Sequence, residues 1–95
     1  MTAHAPAEIS LALRDALAPG DLAGLSERLC RLIAPGVRTV FLDVRVARAD
    51  ALTVDALAQL QLLAKRRGCQ VRLRGASREL RELVAFMGLT DVLPD

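Results

Sequence analysis

The stretch Val37-Arg38-Thr39-Val40-Phe41-Leu42-Asp43-Val44 decides the fold. Val40, Leu42 and Val44 alternate with Thr39, Phe41 and Asp43, so a strand built from it carries an apolar row on one face and a mixed row on the other. β-Branched and aromatic residues at this density favour extended backbone. Pro35-Gly36 before it and the charged run from Arg45 to Asp50 after it set its limits. One continuous face beside one mixed face fits a sheet with helices packed on one side only.

Upstream, Leu22, Leu25, Leu29, Leu32 and Ile33 form a helical stripe that Asp21 can cap and Pro35-Gly36 ends. Before the Pro19-Gly20 break, Ile9, Leu11 and Leu13 alternate with Ser10, Ala12 and Arg14, the period of a half-buried strand. Residues 1–7 are small and polar and are expected to be a flexible lead-in. Downstream, a second helix is expected to start near Thr53, with Val54, Leu57, Leu60, Leu63 and Ala64 inward. It closes on Lys65-Arg66-Arg67-Gly68, where cations suit the carbonyl end and glycine suits the left-handed cap. Val71 and Leu73 alternate with Arg72 and Arg74 in a third strand. Gly75-Ala76 turns, Ser77 caps, and a third helix runs to Met87 with Leu80, Leu83, Val84 and Met87 inward. Gly88 stops it, and Leu89 to Leu93 adds a last short strand or a turn.

Strands alternating with helices call for parallel pairing through helical crossovers. The expected fold is α/β: a small open, mostly parallel sheet with helices mainly on one face, in a single domain over residues 8–95. At 95 residues, 53% of them hydrophobic, the chain can bury one core, and because Phe41 and Phe86 are its only aromatics that core must be aliphatic. Disorder is not expected from so much Leu, Ala and Val.

A formal charge of +2 is too balanced to point to nucleic acid. Lys65, Arg66, Arg67, Arg72, Arg74, Arg78 and Arg81 face only Glu79 within their stretch, yet no aromatics are interleaved to stack bases. That stretch reads as solvated helix and strand surface. Cys30 and Cys69, without a secretion signal, read as reduced thiols, and the single His4 cannot complete a zinc site. No run approaches the roughly 18 apolar residues of a membrane span. A cytoplasmic protein with no direct membrane insertion is expected.

Ligands of open α/β sheets meet the carboxyl ends of the strands, here Asp43 to Thr53 with Arg74 to Ser77 nearby. The sequence holds no Ser-His or Cys-His pair and no glycine-rich phosphate loop, so neither catalysis nor a bound cofactor or metal is expected. Asp43 and Asp50 are the one carboxylate pair on this edge, and the arginines between them point to salt bridging. Thr53 has two readings. One is the N-cap of the second helix, with Asp55 in the first turn; the other is a phosphate acceptor at a helix start. Ser77 carries the same pair of readings.

Val40-Phe41-Leu42-Asp43, the loop to Asp50, the helix to Gly68, the strand Val71-Arg72-Leu73-Arg74-Gly75 and the ending from Ser77 through Met87-Gly88-Leu89 to Leu93 together resemble a STAS domain. The likeness covers about Glu8 to Pro94 and rests on order and spacing more than on any single motif. It implies an anti-sigma-factor-antagonist-like module that works by protein contact. In phospho-switched members of the family an Asp-Ser-Ser-Gly-Leu stretch opens the second helix, and phosphate on a serine breaks the complex. Here Asp50 matches the Asp, while Ala51 and Leu52 stand where the serines would be, and Thr53 and Val54 follow. Either Thr53 accepts phosphate in a shifted register, or the acceptor is lost and the module binds constitutively; loss is favoured.

The expected contact surface is Arg48, Asp50, Leu52, Thr53, Asp55, Gln59 and Leu62, and the expected partner is an anti-sigma factor or another kinase-fold protein. Two alternatives stand beside it: an accessory subunit of a lipid-transporter ATPase of the ABC type, and a nucleotide-binding sensor. A homodimer through an exposed sheet edge is a further option.

Overall fold

A computed structural model describes residues 8–13 and 21–94. The lead-in, His4, Arg14 and the Pro19-Gly20 break lie outside the described residues. The elements run β1 (Glu8–Ala12), α1 (Asp21–Leu32), β2 (Thr39–Asp43), α2 (Ala51–Arg66), β3 (Gln70–Arg74) and α3 (Arg78–Phe86). The three strands form one sheet in the order β1-β2-β3, with both pairs parallel. This is the expected small open α/β architecture.

Register sorts the side chains. Ile9, Val40 and Val71 lie side by side, as do Leu11, Leu42 and Leu73. These rows join Leu25 and Leu29 of α1, Val54, Leu57, Leu60 and Ala64 of α2, and Leu80 and Val84 of α3 in one cluster. All three helices therefore bury their apolar stripes against the same sheet face. The alternate residues form the opposite rows, Ser10 beside Phe41 beside Arg72, and Ala12 beside Asp43 beside Arg74. Arg72 and Arg74 are exposed there, and the Arg74 guanidinium sits 4.1 Å from the centre of the Phe41 ring. That stacking shields an aromatic which would otherwise meet water on the central strand.

The α2 end matches its sequence signals. Lys65 and Arg66 occupy the last turn, and Gly68 takes φ +77°, where a side chain would be strained. Cys69, buried just beyond, donates its Sγ–H to the Val37 carbonyl at 3.1 Å. Two positions differ from expectation. Leu32 and Met87, read as inward, are each 39% exposed, while Ile33 and Leu89 just beyond them pack against the core. The closing segment takes the turn rather than the strand of its two expected forms. It folds as turns in which Leu93 is buried and the Pro94 carbonyl accepts from the Leu73 N–H at 2.8 Å.

Candidate functional site

The carboxyl edge of the sheet is built by the ends of β2 and β3 and the loop into α2. Val44 continues the pairing, its N–H donating to the Arg74 carbonyl at 3.0 Å, and the chain then turns with Ala47 N–H on the Val44 carbonyl at 3.1 Å. Asp43 ends β2 and receives four contacts from one residue. Arg45 Nε lies 3.0 and 3.1 Å from the two carboxylate oxygens, Nη2 lies 2.7 Å from Oδ2, and the Arg45 backbone N–H donates at 3.1 Å. The Arg45 side-chain and backbone donors hold the Asp43 carboxyl below its ordinary range, with a smaller assist from the charge of Arg74. Asp43 and Asp50, the carboxylate pair noted in the sequence, are thus separately engaged: Asp43 by Arg45, Asp50 at the helix start.

Asp50, not Thr53, caps α2. Its Oδ1 accepts the Thr53 N–H at 2.8 Å, and its backbone carbonyl accepts from Val54. The Thr53 N–H, then the Thr53 hydroxyl, then the Arg48 charge hold the Asp50 carboxyl below its ordinary range. The helix consequently begins at Ala51, with Ala51 and Leu52 in its first turn and Asp55 one turn further in. That start rotates Thr53 inward. Its side chain is fully buried, and its hydroxyl, near enough to influence Asp50, completes no hydrogen bond. The expectation that Thr53 caps the helix and lies on the contact surface is corrected, and in this conformation its hydroxyl is out of reach of a phosphoryl donor. An external anion is not invited to this helix start either, since the Asp50 carboxylate already occupies it.

Four of the remaining expected residues share one helix face. Leu52, Asp55, Gln59 and Leu62 recur at helical spacing along the solvent side of α2, with Gln59 Nε2 donating to Asp55 Oδ2 at 2.8 Å. Leu62 is 55% exposed, and Leu52 is also exposed. Arg48 is exposed in the preceding loop, and Asp50 is half-buried. Sequence reading missed Val46, exposed in the loop before the helix. Its only signal was an aliphatic residue set between charged ones in a short loop, which a half-covered core residue would share. Together these give a surface with apolar spots at Val46, Leu52 and Leu62 among Arg48, Asp55 and Gln59. Ser77 behaves as a cap, its Oγ accepting the Leu80 N–H at 3.1 Å.

Residues 1–94 match the family model described as Mlab, STAS domain. The chain belongs to the STAS domain family. No curated protein matches it. Set against the phospho-switched STAS pattern, the helix start from Asp50 to Val54 keeps the acidic cap, places Ala51 and Leu52 outward and buries its one hydroxyl. Among the described residues, no helix is long and apolar enough to cross a membrane.

Proposed function

We propose that this STAS domain is a regulatory binding module that docks a protein partner constitutively, through the β2–α2 loop and the solvent side of α2. The observation that carries the reading is the start of α2, where the cap is a carboxylate and the only hydroxyl is buried, so no phosphate acceptor is presented at the place where phospho-switched members carry one. Exposed Leu52 and Leu62 between polar neighbours supply apolar anchors of the kind a docking surface uses. The partner is an anti-sigma factor or a related kinase-fold protein of the cytoplasm, and the module itself performs no reaction.

The same buried hydroxyl favours a second reading, a permanent accessory subunit of a transporter ATPase, because a subunit that stays bound needs no release switch. Co-purification from native cells separates the two: a soluble kinase-fold protein supports the first, a membrane-fraction ATPase the second. Substitutions test the surface. Asp50→Lys would remove the helix cap as well as alter the surface, so Leu62→Glu and Gln59→Arg are the cleaner choices. Each is expected to weaken capture of the partner at least tenfold, the loss of about 1.4 kcal/mol of binding free energy, with an unchanged circular dichroism melt. Unaltered capture by both variants would remove this face from consideration.

A further inference from the structure

We propose that Arg45 is a latch that sets the position of the β2–α2 loop, and that Gly75 is the residue that admits it. Gly75 lies in the β3–α3 turn with φ +72°, and a Cβ built there would fall 2.1 Å from Arg45 Cγ and 2.9 Å from Arg45 Cδ. The Arg45 stem therefore crosses directly over a backbone that has no side chain, and its guanidinium ends on both oxygens of Asp43. Four groups are drawn together in this way: the end of β2, the first loop residue, the end of β3 through the Val44–Arg74 hydrogen bond, and the turn into α3. Two residues beyond the latch, the Ala47 N–H is bonded to the Val44 carbonyl.

The pair is a positioning device more than a source of global stability. The Arg45 side chain is 73% exposed, and exposed ion pairs add little to folding free energy. Three side-chain contacts and a backbone contact on one carboxylate nevertheless fix the direction in which the chain leaves β2. Residues 46–50, which follow, carry Val46, Arg48 and the Asp50 cap. The consequence for docking rests on the proposed function; the latch itself does not.

Amide hydrogen exchange at Ala47 tests it without any partner, so its failure is distinct from failure of the docking surface. Arg45→Ala should speed Ala47 exchange roughly two- to fivefold, the range an exposed pair of this kind supports. Gly75→Ala should do the same by expelling Arg45, and the double variant should exchange no faster at Ala47 than Arg45→Ala alone. Gly88→Ala is the control: it has a similar φ of +73° with nothing within 4 Å of a Cβ, so it imposes the backbone strain without touching Arg45. It should lower the melting temperature and leave Ala47 exchange unchanged relative to global opening. Unchanged exchange in Arg45→Ala overturns the latch. Additive acceleration in the double variant, or equal acceleration by Gly88→Ala, overturns the role given to Gly75.

Discussion

Asp50 and Thr53 show how a single residue choice sets the chemistry of a surface. Both are good caps, and nothing local in Asp50-Ala51-Leu52-Thr53 distinguishes them. The choice is made by packing: starting the helix at Ala51 puts Val54, Leu57 and Leu60 on the core, and Thr53 is carried in with them. Which hydroxyl reaches solvent was therefore not legible in the sequence, whereas the loss of serines at 51 and 52 was. The cap has a pH signature. The Asp50 carboxyl is held below its ordinary 3.8 by the Thr53 N–H, the Thr53 hydroxyl and the Arg48 charge. A depressed folded value contributes stability above the ordinary value and loses it as pH falls through the folded one. Asn at this position still accepts the Thr53 N–H but does not titrate. Melting temperatures of the parent protein and Asp50→Asn should differ at neutral pH, with the parent higher, and converge as pH is lowered below the ordinary 3.8. A gap that stays constant over that range would show that the cap's charge is not what stabilises the helix start.

Among the elements, α2 does the most. Most of its inward stripe was readable from spacing, but Gln61 was passed over because a polar residue does not register in a hydrophobic pattern. It lies at a core position beside Leu60 and Ala64 and is almost fully buried. Its Oε1 accepts the Val71 N–H at 2.7 Å, and its Nε2 donates to the Val71 carbonyl at 2.9 Å and to the Val92 carbonyl at 2.7 Å. One amide thus substitutes for a neighbouring strand along β3 and ties down the closing segment, while Pro94 takes the Leu73 N–H. This is also why the tail ends as turns: the outer edge of β3 is satisfied without a fourth strand beside it. Gln61→Leu preserves bulk but removes the partner of three backbone groups, the buried N–H and carbonyl of Val71 and the half-buried carbonyl of Val92. The expected destabilisation is roughly 3 kcal/mol or more, at about 1–3 kcal/mol for each unsatisfied group, read from urea unfolding. A loss below about 1 kcal/mol would mean that water or a shifted tail replaces the amide.

At the scale of the molecule, the unusual feature is a parallel sheet that, among the described residues, has helices on one face only, since parallel sheets are normally covered on both. The sequence foreshadowed it in the alternation of Val71 and Leu73 with Arg72 and Arg74, and of Val40, Leu42 and Val44 with Thr39, Phe41 and Asp43. A strand covered on both sides would show unbroken aliphatic residues instead. What alternation could not show is how Phe41, an aromatic on the central strand of the uncovered face, avoids becoming a sticky patch. Parallel register answers this: Arg72 falls beside Phe41, and Arg74, one pleat further along, folds its guanidinium onto the ring. The two arginines on β3 thereby keep this face hydrated. Arg72→Leu with Arg74→Leu should join Phe41 to two exposed leucines and create a contiguous apolar strip on a flat sheet, the geometry that drives self-association. The double variant should keep its helical circular dichroism but elute earlier and more broadly in size-exclusion chromatography as concentration rises, while the parent does not change. If the variant matches the parent's elution across the same concentrations, other parts of the chain must cover this face, and the arginines have no part in keeping it apart from its copies.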